Sequence, residues 1–259
     1  MNPAIPIPPA HRNDGLIVNY QSLFGYRRNL INQPQIERRG HAMYLKVHPV
    51  TPQQRHITRA VEELRSGGVI IYPTDTVYGI GCSIFDTRAI ERIYQIKRQD
   101  ADKPFSFVCS DLSHISEFAK VSNSSYRLMK QLIPGPYTFI LPASRLKQLP
   151  KSLISSRKTV GIRVPENEIC RQIVKELGHP ILNASVTIGD DEIVSDPEEI
   201  KRHFEKQVDV ILDGGNSLTE FSTILDLTED QPVIIREGAG DITTILIAEA
   251  QEERLAQAL

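Results

Sequence analysis

The chain has 259 residues, a formal net charge of −2, 40% hydrophobic and 24% charged residues, the balance of a soluble globular protein long enough for a full core. No apolar run approaches the roughly 18 residues of a membrane span, and the near-neutral charge carries no global nucleic-acid signature, so a polyanion would need a local basic patch. The three cysteines, Cys82, Cys109 and Cys170, form no CxxC pair, which excludes a disulfide scaffold or zinc knuckle and suits a reducing, cytoplasmic compartment.

Residues 1–42 stand apart, with five Pro, five Arg, no Lys and only Asp14 and Glu37 as acids. They contain neither an apolar h-region nor a clear amphipathic stretch. We read them as a flexible or dispensable extension, with Met43 as a natural start; organelle targeting is the weaker alternative. From Met43 onward, strand-like and helix-like segments alternate. Thr51-Pro52 reads as a helix start, Ile57, Ala60, Val61 and Leu64 recur at helical spacing, and Gly67-Gly68 ends the run. Residues 69–72 form a short apolar run of buried-strand type, followed by a polar turn and Gly79 and Gly81. Asp86 or Thr87 caps a second helix. Residues 105–109 read as a strand, Asp111 opens a helix through Phe118, and another runs over 123–132.

Pro134-Gly135-Pro136 breaks the chain before a strand at 137–141. Further strands are expected at 159–164, 180–184, 208–212, 222–227 and 233–236, with helices at 166–177, after the acid-led start Asp196-Pro197-Glu198-Glu199, and from 243 to the terminus. This pattern predicts one α/β domain with a sizeable, mixed sheet over residues 43–247, and a C-terminal helical tail at 248–259.

Five segments look like chemistry. Tyr72-Pro-Thr-Asp-Thr-Val-Tyr-Gly-Ile-Gly81 runs a strand into hydroxyls, a carboxylate and glycines that let the backbone pass close to a neighbour. Arg88, Arg92, Lys97, Arg98 and Lys103 bring cations beside it, suited to phosphate or carboxylate. Pro134-Gly-Pro-Tyr-Thr138 is followed by Thr159-Val-Gly-Ile-Arg163-Val-Pro165, where Arg163 interrupts an apolar strand and needs a partner: a buried acid or a bound anion. Asn183-Ala-Ser-Val-Thr187 ends a strand in hydroxyls. Ser222-Thr-Ile-Leu-Asp226 precedes Arg236-Glu-Gly-Ala-Gly240. There is no GxxxxGK[ST] loop, GxSxG elbow or metal-ligand cluster, and the seven histidines show no HxH or HExxH spacing. The residues alone describe an α/β protein with a cationic, hydroxyl-lined anion site: a nucleotide-using enzyme or a polyanion-binding module.

In their order, these segments resemble the YrdC/YciO superfamily, whose best-known members are L-threonylcarbamoyladenylate synthases. The resemblance spans roughly residues 47–240, and Pro52-Gln-Gln-Arg55 is similar to the YciO-like branch. It implies an open twisted mixed sheet with helices around a large cationic concave surface. It also implies a reaction joining ATP, L-threonine and bicarbonate into threonylcarbamoyl-AMP and pyrophosphate, for tRNA modification at adenosine 37. Mg²⁺ would accompany ATP; the protein itself would ligate no metal. By this resemblance Lys97, Arg98 and Ser185 are the catalytic candidates. Thr74, Thr76, Lys103, Arg163 and Ser222 would hold threonine or its carbamate, and Lys97, Thr138, Ser185 and Arg236 would face the nucleotide.

Two positions depart from the synthase pattern of Lys-x-Arg and Ser-x-Asn: Gln99 stands for Arg, with Arg98 one place early, and Thr187 stands for Asn. A neutral Gln does not replace a bidentate guanidinium. A second reading therefore stands beside the synthase, an RNA- or ribosome-binding paralogue with weak or no synthase activity and tRNA or double-stranded RNA as partner. No residue argues for a particular oligomeric state.

Overall fold

The short apolar runs pair side by side. In the computed structural model, which describes residues 40–99, 103–144, 146, 149–189, 192–243 and 245, ten strands form one mixed sheet: β1 (Met43–Lys46), β2 (Ile70–Tyr72), β3 (Gly79–Gly81), β4 (Ser106–Val108), β5 (Tyr137–Pro142), β6 (Thr159–Arg163), β7 (Ile181–Ser185), β10 (Val210–Asp213), β11 (Thr223–Asp226) and β12 (Val233–Arg236). Between β7 and β10 lies a separate hairpin, β8 (Thr187–Ile188) with β9 (Glu192–Ile193). The order across the large sheet is β1-β10-β2-β3-β7-β4-β6-β5-β11-β12. The joints β1–β10, β10–β2, β4–β6 and β5–β11 are parallel and the other five antiparallel.

Helices α1 (Gln54–Arg65), α2 (Thr87–Lys97), α3 (Leu112–Phe118), α4 (Asn123–Leu132), α5 (Glu168–Leu177) and α6 (Pro197–Phe204) form where apolar residues recur at three and four. Asp86, Asp111, Ser122, Asn167 and Asp196 cap the last five of them by accepting from first-turn amides. Gly178 closes α5 in the left-handed conformation.

Because side chains alternate along each strand, the sheet has two different faces. On one, α2, α3, α4 and α6 pack against Ile71, Phe107, Phe139, Ile162, Leu182, Ile211 and Leu225. On the other, α1 and α5 bury Ile57, Ala60, Val61, Leu64, Ile169, Ile173 and Val174 against Ile70, Tyr72, Val108, Ile181, Val210 and Leu212. These two helices reach only the β1-to-β4 side. Over β6, β5 and β11 the same face carries Thr159, Gly161, Arg163, Thr138, Ile140 and Ile224, and there it opens as a cleft.

One local expectation is corrected and two elements go beyond the sequence reading. Thr51 does not cap α1, which starts after Gln53; the Thr51 hydroxyl and amide meet the His48 ring instead. Gly79-Ile80-Gly81, which follow the polar turn, form a strand paired with β2 and β7. The hairpin β8–β9 was not anticipated, its strands being two residues each. The leader at residues 1–39, the tail at 248–259 and most of the terminal helix expected from 243 lie outside the described residues.

His179, buried against the Phe85 ring at 5.1 Å between centroids, has Nδ1 3.0 Å from the Pro180 carbonyl. Burial lowers its pKa from 6.5 to about 4, with a smaller lowering from His114 and Arg65. The unfolded chain therefore binds a proton on this ring between those values and the native chain does not, so acidification from about pH 6.5 to about pH 4 destabilises the fold. His179→Leu should make that decline shallower by up to one proton, read from urea midpoints across the range; an unchanged slope would exclude His179 as its source.

Candidate functional site

The uncovered face forms a cleft of about 440 Å³. Its floor follows from strand alternation: Ser106 on β4, Asn183 and Ser185 on β7, Thr159, Gly161 and Arg163 on β6, Thr138 and Ile140 on β5, and Ile224 on β11. Their neighbours Phe107, Leu182, Val160, Ile162, Phe139, Leu141 and Leu225 point into the opposite core. Gly161 keeps the floor low, since an added Cβ there would touch Ser106 Cβ at 3.4 Å and Thr138 Cγ2 at 3.7 Å.

Arg163 is 3% exposed. Its Nη2 donates to Asp75 Oδ1 at 2.8 Å and Thr76 Oγ1 at 2.9 Å, and Asp75 Oδ2 accepts from the Glu166 amide at 2.9 Å. Of the two partners left open for this guanidinium, the described residues supply the buried acid, although Arg163 also lines the cleft. Its buried Nε has no hydrogen-bond partner among the described residues.

Arg236 enters from β12 at the rim. Its Nη2 and Nε donate to the Ser222 carbonyl at 2.8 and 3.2 Å, and the guanidinium lies over the Phe221 ring at 5.0 Å. Thr138 Oγ1 and Ser222 Oγ are 2.8 Å apart. Burial, and then repulsion from Arg163, lower the Arg236 pKa, so two cations face a shared space. Lys97, the last residue of α2, reaches the same cleft and donates to Thr187 Oγ1.

Lys97, Thr138, Arg163, Ser185, Ser222 and Arg236 thus converge. Four other expected site residues lie elsewhere. Thr74 and Thr76 are buried and outside the cleft lining, their hydroxyls 3.1 Å apart, with Thr74 donating to the Val77 carbonyl and Thr76 accepting from Arg163. Lys103 is exposed and does not line the cleft; its carbonyl accepts from Gln99 Nε2 at 2.8 Å. Arg98 caps α2 in the left-handed region at φ 49°, is exposed, and also falls outside the cleft, whereas Gln99 lines it. Residues 100–102 between them lie outside the described residues.

Residue types alone did not single out Ser106, Ser155 or Phe221 as lining groups, and Asn183 stood only at the head of a segment read for its hydroxyls. The signal available for Ser106 was its place opposite Phe107 in an otherwise apolar strand. Among the described residues the cleft lining contains no carboxylate and no cluster of metal-binding side chains occurs, and burial pushes all three cysteine thiols up. The chemistry on offer is hydrogen bonding and positive charge.

The fold and cleft define an α/β protein built to present cations and hydroxyls from the open face of a mixed sheet. The Sua5/YciO/YrdC family model, described as telomere recombination, matches residues 62–238, and the chain belongs to that family. It is 45% identical over 207 residues to Escherichia coli YciO, covering 79% of this chain and all of that one. The crystal structure of E. coli YciO superposes with a TM-score of 0.74 over 78% of this chain and 98% of that chain. More distant is the threonylcarbamoyl-AMP synthase of Pyrococcus abyssi, 30% identical over 68% of this chain and 52% of its own length. The P. abyssi Sua5 structure complexed with L-threonine matches with a TM-score of 0.75 and 28% identity, over 80% of this chain and 61% of that one.

Asp75 ties the loop after β2 to β6 and to the start of α5. Asp75→Ala would leave Arg163 buried without its counter-charge, and should destabilise the protein by about 3 kcal/mol. Chemical denaturation checks this, and a loss below about 1 kcal/mol would show that the pair is not holding the two segments together.

Proposed function

We propose that the protein joins L-threonine, bicarbonate and ATP into threonylcarbamoyl-AMP with release of pyrophosphate, feeding threonylcarbamoylation of adenosine 37 in tRNA. The observation that carries this reading is the convergence of Lys97, Arg163 and Arg236 on one cleft whose described lining residues include no carboxylate. The family's synthases support the same reading.

The threonine amine adds to the carbon of CO₂ drawn from bicarbonate, losing a proton and giving a carbamate. A carbamate oxygen then attacks the α-phosphorus of ATP, and the bond to the bridging oxygen breaks as pyrophosphate leaves. Positioning and charge neutralisation suffice, with no covalent nucleophile. Lys97 and Arg236 would match phosphate charge, with Thr138, Ser185 and Ser222 as hydroxyl partners of the nucleotide and the carbamate. Arg163, fixed by Asp75 and Thr76, would hold the carboxylate of threonine. Thr74 and Thr76 support this end through Arg163. Mg²⁺ would neutralise phosphate charge when bound to ATP; the described lining residues offer it no carboxylate, and it would enter with the nucleotide.

The test is pyrophosphate release with ATP, Mg²⁺, bicarbonate and threonine, each omitted in turn. Release should require both threonine and bicarbonate, and Lys97→Ala or Arg236→Ala should lower kcat/KM about a hundredfold. Gln99 and Thr187 at the two altered positions favour a specific second outcome: no release, with RNA affinity that falls steeply with salt as counterions are displaced. That result would replace the synthase with a nucleic-acid-binding paralogue.

A further inference from the structure

The glycines of β3 make room for a neighbouring side chain, and that side chain is Tyr72. A Cβ on Gly79 would sit 2.9 Å from Tyr72 Cζ and 2.6 Å from Asn183 Oδ1, and one on Gly81 would sit 3.0 Å from Tyr72 Cε1. The Tyr72 ring therefore lies across β3, fully buried, and its hydroxyl reaches the next strand to donate to Asn183 Oδ1 at 2.8 Å. Burial holds the Tyr72 pKa far above its ordinary value, so the hydroxyl remains a donor.

Hydrogen accounting fixes the Asn183 carboxamide. Ser106 Oγ spends its proton on the Asn183 carbonyl at 3.2 Å, so the side-chain atom facing Ser106 must be the donor Nδ2, 3.4 Å away. With Oδ1 committed to Tyr72, a flip would leave the buried Tyr72 proton without an acceptor and set two acceptors against each other. One Nδ2 hydrogen is used by Ser106. No hydrogen bond among the described residues uses the second, although Asn183 is 5% exposed and lines the cleft.

We propose that Asn183 is a ligand-binding residue of this cleft, its carboxamide locked by Tyr72 so that an Nδ2 hydrogen is donated to an acceptor on the bound nucleotide. The proposal rests on the nucleotide-binding reading of the cleft. Asn183 stands beside Ser106 on β4 and two residues from Ser185, on the floor between the Lys97 corner and Arg163. A fixed neutral donor there discriminates in a way the cations, which select for negative charge, do not, because a ligand lacking an acceptor at that point leaves a buried donor unpaired.

Asn183→Leu alone would orphan the Tyr72 hydroxyl, so the informative variant is Tyr72→Phe/Asn183→Leu, which removes both partners together. ATP binding is measured by titration calorimetry on the full chain, alongside thermal unfolding. The double variant should keep a cooperative melting transition and bind ATP about tenfold more weakly. Tyr72→Phe alone, which keeps the amide and its contact to Ser106 but removes the donor to Oδ1, should weaken binding only two- to threefold. Asn183→Asp, still accepting from Tyr72 but with no donor and an added negative charge, should lose more than tenfold, and serves if the double variant fails to fold. ATP affinity in the donor-less variant equal to wild type overturns the role of Asn183 alone. Equal losses in Tyr72→Phe and the double variant also overturn it, by placing the effect on Tyr72. No ATP binding by the wild type overturns the nucleotide reading and this proposal with it.

Discussion

The buried pair of Arg163 and Asp75 is the constraint on which the site depends. A guanidinium on a strand is tolerable in the interior only with a counter-charge and hydrogen bonds, and here these come from the loop that follows β2, 88 residues earlier in the chain. Asp75 also accepts from the Glu166 amide just ahead of α5, so one carboxylate joins three segments. Their joining sets the position of Thr76 and one cationic wall of the cleft. Replacing the pair with apolar groups could preserve packing but would remove the charge that faces the ligand.

The alternation of apolar runs and helical spacings made much of the architecture legible: α2 and α3 begin where Asp86 and Asp111 invite them, α4 falls on its expected span, and β5, β6 and β12 fall on their apolar segments. Long-range pairing was not legible. Nothing local to Arg163 distinguishes a buried acid from a bound anion as its partner, because Asp75 is close only once β2 and β6 are in place. Likewise Gly79-Ile80-Gly81 has poor strand propensity and gives no strand signal of its own. Its pairing with β2 and β7 brings the Tyr72 ring into the space that side chains on the two glycines would occupy.

The altered positions show the same division. The sequence displays Gln99 and Thr187 where the resemblance leads one to expect Arg and Asn, but not what the surrounding backbone does with them. The left-handed φ of Arg98 turns that residue out of the helix and leaves Gln99 in the cleft, so shifting the cation by one place does not restore it to the site. Thr187 meanwhile accepts from Lys97, binding the corner together through a single hydroxyl oxygen, where a carboxamide would have presented its acceptor and its two N–H donors on separate atoms.

The strand order has a consequence for how the protein comes into being. β1 finds its partner in β10, and β2 lies between β10 and β3, so the first strands of the domain wait for residues near 210 before that side of the sheet is complete. β5, in turn, waits for β11. A nascent chain emerging from the ribosome could form α1 and the β2–β3 pair early but would carry unmatched strand edges until nearly the whole domain had been synthesised. Such dependence on distant pairings slows folding and lengthens the time for which those edges are open to other chains. The cleft, which takes Ile224 from β11 and Arg236 from β12, is incomplete until those late strands have been made.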